Sequence, residues 1–241
     1  MWSRLFQFAL LFTAFVIRYN LFRIIYVSGM NNVKHYNREI SEAYGTGARD
    51  FVDFFRNAHE FLDIDRKRFL ESMPERAKIL DCGCGPGQDS EVFAKLGYTV
   101  TGIDITPEFI AMAKQRVPAA DFIQMDMRAI NLPADTFDGI WVSFSLLHIH
   151  KTDVPQVLRN FITVMKSTGR MMIALHRGPK TEWVTANISG INRHCAVQEW
   201  VQSDLEQVIR DNGFAIEYSR AFERSGGRFP LLSIIGSISG Q

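Results

Sequence analysis

Short apolar segments with strand character alternate with stretches that have the apolar spacing of a helix throughout residues 78–175. Parallel strands are joined by crossover connections, which are usually helices, so this alternation predicts a mostly parallel sheet with helices on both faces. We therefore expect an α/β fold built as a three-layer α/β/α sandwich. Its predicted strands are Lys78–Cys82, Tyr98–Asp104, Asp121–Met125, Phe137–Val142 and Arg170–Leu175.

The segments that flank this alternation predict further elements. Apolar spacing in residues 50–62 indicates a helix ahead of the first strand. Ser203 and Glu206 have the spacing of a capping box, which predicts that a helix begins there. Two later runs, Phe214–Arg220 and Phe229–Ile235, flank a Gly-Gly turn and predict closing strands, with an antiparallel one among them.

Length and charge limit the architectures and partners that are open to the chain. It has 241 residues and a formal net charge of +1, which fit one α/β domain better than two. We place this domain at residues 30–241, with its core at 75–175. No run of Lys and Arg is present to neutralise phosphates, so a nucleic-acid partner is not expected. The cysteines lack zinc-ligand spacing, which predicts no metal site. Their low, odd number predicts reduced thiols and a cytoplasmic location.

The amino-terminal region differs in character from the rest of the chain. Residues 5–17 are almost entirely apolar, and two arginines follow shortly afterwards. A membrane-spanning helix needs about 20 apolar residues, so this run is short for a span. Three interpretations stay open: an extension before Met30 that the folded domain does not need, a packed or membrane-lying helix, and a signal peptide. We prefer the first, so residues 1–29 are treated as an apolar extension and membrane contact through them is not favoured.

A glycine-rich segment follows the first predicted strand and carries the strongest chemical signal. Alternate glycines let the backbone turn sharply and approach a ligand, and the helix that follows offers free N–H groups. Such a loop can hold a phosphate or the carboxylate of an amino acid. Gln88 stands where a dinucleotide fingerprint needs its third glycine, and the lysine of a P-loop is absent. The acid before the first glycine would repel a phosphate and suits a cationic group. The segment reads Asp81-Cys82-Gly83-Cys84-Gly85-Pro86-Gly87.

Acidic residues also mark the ends of the second and third predicted strands. Asp104 ends the second strand, where a carboxylate can accept hydrogen bonds from two ribose hydroxyls. Asp126 follows the third strand, where it can bond the exocyclic amine of a base while Met127 packs on the ring. Each acid alone also fits a solvated side chain at a strand end. Ligands of open α/β sheets sit at the carboxyl ends of the strands, and there the two acids join the glycine loop.

Together these segments resemble the class I S-adenosylmethionine-dependent methyltransferases over about residues 75–175. The resemblance implies a Rossmann-like fold and S-adenosylmethionine as cofactor, with Asp81 near its ammonium group, Asp104 at the ribose and Asp126 at the adenine. The family's Leu-Lys-Pro-Gly-Gly before the fifth strand is replaced here by Met-Lys-Ser-Thr-Gly at residues 165–169. The other cofactor-binding residues that the resemblance implies are Gly83, Cys84, Gly85, Gly87, Ile105, Met127, Ser143 and Phe144.

The segment after the fourth strand bears on the methyl acceptor. Amino-methyltransferases of nucleic acids carry Asn/Asp-Pro-Pro-Tyr/Phe there, whereas this chain has Val-Ser-Phe-Ser at residues 142–145. Residues 145–148 are instead similar to the corresponding loop of small-molecule members, and Ser143 and Phe144 would border the methionine moiety. We therefore predict a methyltransferase that acts on an O, N, S or C atom of a small molecule.

Histidines supply the candidates for a general base, which a hydroxyl or thiol acceptor would need near neutral pH. His148 is the preferred catalytic candidate, and His150, His176 and His194 are weaker ones. Tyr44 either closes over the cofactor or has a packing role. A non-catalytic S-adenosylmethionine-binding sensor or partner subunit stays open, because it would keep the same loop. A nucleotide-dependent oxidoreductase is a further alternative, which the glycine spacing disfavours.

Overall fold

A central seven-stranded sheet organises the computed structural model, which describes residues 41–42, 44–45, 60–71, 73–188, 191–223 and 230–240. For residues 60 and 181–196 only the backbone is described. The strands are β1 Lys78–Cys82, β2 Thr99–Asp104, β3 Asp121–Gln124, β4 Phe137–Ser143, β5 Met165–His176, β6 Thr181–Ile188, β7 Ile191–Gln198, β8 Phe214–Phe222 and β9 Leu231–Ile238. The helices are α1 Asp63–Leu70, α2 Gln88–Lys95, α3 Pro107–Arg116, α4 Val154–Val164 and α5 Gln202–Asp211, and short 3-10 helices cover Glu60–Leu62, Met127–Ala129 and Leu146–His148.

The strand order of the central sheet is β3-β2-β1-β4-β5-β9-β8. The five strands from β3 to β5 are parallel, while β9 runs antiparallel to both β5 and β8. From β1 the chain proceeds outward to β2 and β3, and then returns to β4 on the other side of β1. Strand order therefore reverses between β1 and β4, and their carboxyl ends form the crevice where ligands of such sheets bind.

Both faces of the sheet are covered because its strands carry apolar side chains in both directions. β1 and β4 are buried almost throughout, as expected for strands at the centre of a parallel sheet. The largest apolar cluster joins one face to α4 and α5, and a second joins the other face to α1 and α2. A smaller cluster lies between α3 and β3. The predicted three-layer, Rossmann-like fold with a mostly parallel sheet is confirmed.

A buried polar network fixes α1 and α2 against β4. The Arg66 guanidinium donates to an Asp89 carboxylate oxygen at 2.8 Å, and the Trp141 indole N–H donates to the other oxygen at 2.8 Å. Arg66 and Asp89 are 6% and 5% exposed. Arg66 also forms an ion pair with the exposed Asp63, so its guanidinium joins a surface acid to this buried network.

A two-stranded antiparallel hairpin, β6–β7, is inserted between β5 and α5. A parallel bridge between Arg177 and Trp200 ties its base together, and the Trp200 N–H donates to the His176 carbonyl at 3.1 Å. We assigned no element to residues 177–200 from the sequence. The Ser-Gly pair at residues 189–190 of the sequence, between runs rich in β-formers, is the hairpin signal that could have found it.

Several local expectations differ from the structure. The capping box at Ser203 is wrong: α5 begins at Gln202, and the Ser203 hydroxyl bonds Asp204. Glu206 accepts instead from Gln202 and from the Ser219 hydroxyl on β8, so tertiary contacts replace the local cap. The fifth strand is longer than predicted.

Two sequence expectations lie outside the described residues. These are the apolar extension at 1–29 and nearly all of the helix predicted at 50–62. Within the described part of the chain, no helix is long and apolar enough to cross a membrane.

Candidate functional site

The glycine loop leaves β1 at the switch point in a conformation that requires glycine. Gly83, Gly85 and Gly87 have φ angles of 77°, 52° and 80°, in the left-handed region. A Cβ on Gly83 would lie 2.2 Å from the Cβ of Ser145, so the loop and the segment after β4 approach too closely for any side chain there. The N–H groups of Gly83 and Cys84 both donate to the Ile103 carbonyl, at 2.7 and 2.9 Å, which ties the loop to β2.

Asp81 lies beneath the loop as a buried carboxylate. It is 2% exposed, and one oxygen accepts a hydrogen bond from the Ser90 hydroxyl at 2.6 Å. Ser90 was not singled out from the sequence, since a serine one turn into a helix carries no particular signal. The pair joins the end of β1 to α2 and holds a negative charge directly under the glycines.

Asp104 links the tip of β2 to the glycine loop. One carboxylate oxygen accepts from the Gly85 N–H at 3.0 Å, and the other accepts from the Thr106 N–H at 2.8 Å. Burial raises the pKa of Asp104, and these backbone hydrogen bonds offset the rise only in part. The neighbouring Ile105 is half-buried.

Asp126 is held by an arginine that sequence reasoning missed. The Arg128 guanidinium donates from Nε to Asp126 Oδ1 at 3.1 Å and from Nη2 to Oδ2 at 2.6 Å, and it also contacts Asp153 at 3.5 Å. The Asp-x-Arg spacing within a tight turn is the signal that could have found this pair. Met127 is buried, and its Cε lies 3.6 Å from the position of a Cβ on Gly83. The segment that follows β3 therefore lies at the same edge of the sheet as the glycine loop.

The charges of these three acids converge on the glycine loop. Burial raises the pKa of the Cys82 thiol well above its ordinary value, and the charges of Asp81, Asp104 and Asp126 raise it further. Such a concentration of negative charge favours a cationic ligand. The Cys84 thiol is buried and belongs to the cluster under α3, so only its backbone is available to a ligand.

The segment after β4 forms the opposite wall of the crevice. The Ser143 Oγ is buried and has no hydrogen-bond partner among the described residues. Phe144 has a φ of 51°, and its N–H donates to the Ala174 carbonyl at 2.9 Å. The Ser145 hydroxyl donates to the Cys82 carbonyl at 2.7 Å, which fixes this segment to β1.

Histidines end two elements at the same edge. His148 ends the 3-10 helix after β4, and its Nε2 lies 2.7 Å from the Tyr44 hydroxyl. His176 ends β5, and burial together with the charge of His148 lowers its pKa to about 4. His150 is exposed and bonds Thr152, so it faces solvent. The side chain of His194, on β7, lies outside the described part.

These features agree with the demands of S-adenosylmethionine, which carries sulfonium and ammonium charges next to an adenosine. The acids suit the charges, and the loop leaves open space at Gly85, where nothing lies within 4 Å of the Cβ position. The buried Ser143 hydroxyl lacks the partner that a ligand would supply. The fold and site thus define a Rossmann-like protein with a ligand edge of the nucleoside-binding type.

Comparison with known proteins defines the family. A family model described as a methyltransferase domain matches residues 79–169. YqeM of Bacillus subtilis, which its name places among the methyltransferases, is 30% identical over 176 residues, or 69% of this chain and 71% of that protein. The chain belongs to the class I S-adenosylmethionine-dependent methyltransferases. It is an enzyme of that family, and S-adenosylmethionine is its cofactor.

Other similar proteins differ in their acceptors. The 2-methyl-6-phytyl-1,4-hydroquinone methyltransferase of Synechocystis is 31% identical over 109 residues, 44% of this chain and 34% of that protein. Several further relatives are likewise spanned over less than half of their length. The 1,6-didemethyltoxoflavin-N1-methyltransferase of Burkholderia thailandensis, solved with 1,6-didemethyltoxoflavin and S-adenosylhomocysteine, has a TM-score of 0.73 at 18% identity and covers 90% of this chain and 95% of its own. At that identity the likeness shows the fold alone.

Proposed function

We propose that this enzyme transfers the methyl group of S-adenosylmethionine to an O, N, S or C atom of a small molecule. The observation that carries the proposal is the juxtaposition of two histidines with an acid-lined glycine loop at the switch point. The acids favour binding of a cationic methyl donor, and the histidines lie where they can take a proton from the methyl acceptor. One relative is named as a hydroquinone methyltransferase, and one structural neighbour as a 1,6-didemethyltoxoflavin methyltransferase, which supports a small-molecule acceptor in general.

We assign different residues around the loop to different parts of the cofactor. We assign the ribose to Asp104 with Ile105 beside it, and the adenine to Asp126 with Met127. Bound S-adenosylmethionine supplies an electrophilic methyl carbon on a sulfonium sulfur. The remaining assignments concern the methionine half of the cofactor: the backbone of Gly83, Cys84, Gly85 and Gly87, the charge of Asp81, and the border formed by Ser143 and Phe144.

The protein's own contribution to the transfer is orientation, exclusion of water and acceptance of a proton. We assign His148 as the general base. Its Nε2 contacts the Tyr44 hydroxyl at 2.7 Å, so the acceptor proton passes to Tyr44 while the tyrosine proton passes to His148. Positioned bases of this kind contribute roughly 10²–10⁴-fold to rate. The two free, buried thiols at Cys82 and Cys84 fit a reducing compartment, and we place the enzyme in the cytoplasm.

A labelled-methyl screen tests this proposal. Purified protein is incubated with isotopically labelled S-adenosylmethionine and fractionated metabolite extract, and labelled products are identified by mass. We expect a labelled small molecule together with an equal amount of S-adenosylhomocysteine. Binding of S-adenosylmethionine without labelling of any fraction would instead favour a non-catalytic binding role.

A pair of variants from one loop then tests the base. His148→Gln should lower kcat roughly 10²–10⁴-fold while the affinity for S-adenosylhomocysteine stays unchanged. The matched control is His150→Gln, because His150 is exposed and bonds only its neighbour Thr152. Equal rates for the two variants would remove His148 from the mechanism.

A further inference from the structure

Four half-buried aromatic rings meet at the carboxyl edge of the sheet, next to Ser143. Phe144 follows β4, His176 ends β5, Phe222 ends β8, and Phe61 approaches from the 3-10 helix before α1. The Phe61 ring centroid lies 5.7 Å from that of Phe144 and 6.4 Å from that of Phe222. The Phe144 and His176 centroids are 5.9 Å apart. We call these four residues the aromatic wall.

The aromatic wall is distinct from the aromatic core of the domain. Phe69, Phe93 and Trp141 form that core, with ring centroids 5.3–6.2 Å apart and no exposure. The wall rings keep accessible surface although apolar rings gain most from complete burial. Their exposure falls at the edge where the cofactor binds, which is where an acceptor must lie to reach the methyl group.

The backbone at Phe144 also indicates a ligand role. A φ of 51° is uncommon for a residue with a bulky side chain and costs free energy. The Phe144 N–H bond to Ala174 holds the residue in this conformation, and the ring is thereby directed against Phe61 and His176. Strained residues of this kind concentrate at ligand sites because the surrounding structure must enforce them.

The charged groups that touch the wall are compensated. The Arg220 guanidinium lies 3.8 Å from the Phe222 ring centroid, and it forms an ion pair with the fully buried Asp65. Asp65 also accepts from the Ser233 hydroxyl at 2.6 Å. His176 is neutral at physiological pH because burial lowers its pKa to about 4. The wall therefore combines three half-buried phenylalanine rings with a neutral imidazole and carries no uncompensated charge.

We propose that Phe61, Phe144, His176 and Phe222 form the acceptor subsite, and that the acceptor is a planar aromatic molecule bearing the group to be methylated. This inference rests on the proposed function and names its substrate class. In the transfer, the acceptor atom supplies the electron pair of the new bond to the methyl carbon. The carbon–sulfur bond breaks with its pair left on sulfur, and the acceptor proton goes to the Tyr44–His148 pair.

Binding of matched probes to the full-length protein, saturated with S-adenosylhomocysteine, tests the inference. The probes are 2-naphthol and its saturated analogue decahydro-2-naphthol, with Kd measured by calorimetry or ligand-observed NMR. We expect the aromatic probe to bind at least tenfold more tightly. Ring contacts are worth roughly two- to tenfold each in affinity, so Phe222→Leu and Phe61→Leu should each weaken 2-naphthol by about that factor.

Tyr218→Leu is the matched control. Tyr218 lies four residues earlier on β8, is equally half-buried, and packs under the Arg68 guanidinium at 4.4 Å, away from the wall. It should leave 2-naphthol binding unchanged. Equal affinities for the two probes in the wild-type protein, or equal losses in Phe222→Leu and Tyr218→Leu, would overturn the inference. Unchanged S-adenosylhomocysteine affinity shows that each variant is folded, whereas failure of the wild-type protein to bind it would overturn the proposed function itself.

Discussion

Replacing Gly83 by alanine tests whether the loop is built for close approach. The residue has a φ of 77°, and the new Cβ would lie 2.2 Å from the Ser145 Cβ and 2.5 Å from its Oγ. Left-handed backbone costs a side-chain-bearing residue about 1–2 kcal/mol. Displacing Ser145 adds about 1–3 kcal/mol of overpacking, and loss of its hydrogen bond to the Cys82 carbonyl adds about 1 kcal/mol. We therefore expect Gly83→Ala to lose about 3–6 kcal/mol of unfolding free energy.

Gly97→Ala is the control that separates strain from contact. Gly97 has a φ of 89° with nothing within 4 Å of the Cβ position, so only the backbone cost of about 1–2 kcal/mol applies. The entropic effect of alanine on the unfolded chain is common to both variants and cancels in their difference. Urea unfolding followed by tryptophan fluorescence gives the free energies, and calorimetry gives the affinity for S-adenosylhomocysteine, which Gly83→Ala alone should reduce.

A double variant completes the test. Combining Gly83→Ala with Ser145→Gly removes the atoms that clash. The double variant should therefore lose at least about 1 kcal/mol less unfolding free energy than the sum of the losses in the two single variants. If Gly83→Ala costs no more than Gly97→Ala, or if the two substitutions are additive, the steric reasoning is refuted.

Three further predictions concern separate groups. Asp104→Ala should weaken S-adenosylmethionine binding by about 1–3 kcal/mol in calorimetry, through lost hydrogen bonds to a charged acceptor; unchanged affinity would exclude Asp104 as the ribose acid. The pKa of His176 is about 4 in the folded protein and 6.5 in the unfolded chain. Between pH 6.5 and pH 4 the unfolded chain therefore binds a proton on His176 that the folded protein does not bind. The free energy of unfolding should fall by about 3 kcal/mol on acidification through this range. His176→Asn should flatten that part of the pH–stability curve, and an unaltered slope would contradict the assignment. Asp89→Ala should cost about 3–5 kcal/mol, because it removes the buried acceptor of both the Arg66 guanidinium and the Trp141 N–H, whereas Glu91→Ala, in partly exposed pairs, should cost under about 1 kcal/mol in the same urea assay; equal losses would show that the buried network contributes nothing special.

The parallel sheet was predictable because its signals are local. A buried strand, a glycine turn and an amphipathic helix each leave a pattern within about ten residues, and the repetition of this unit determines the topology. The glycine loop and the acids at Asp104 and Asp126 were predictable from the same local pattern, since each lies at or just after the end of a strand. The hairpin β6–β7 was missed because its strands mix polar and apolar residues without a clear period in the sequence.

Features that depend on distant contacts could not be predicted. Glu206 has the sequence of a capping residue, but the Ser219 hydroxyl, 13 residues away, bonds its carboxylate in the folded chain. The contact between Tyr44 and His148 joins residues that are 104 positions apart. The meeting of Phe61 with Phe222 likewise depends on the order in which β8 and β9 close the sheet. No sequence period encodes such neighbours.

Phe144 belongs both to the border assigned to the methionine half of the cofactor and to the aromatic wall. On these assignments one side chain serves two ligands, so neither can bind without altering the surface that the other meets. Linkage then requires that the factor by which the bound cofactor changes acceptor affinity equals the factor by which the acceptor changes cofactor affinity.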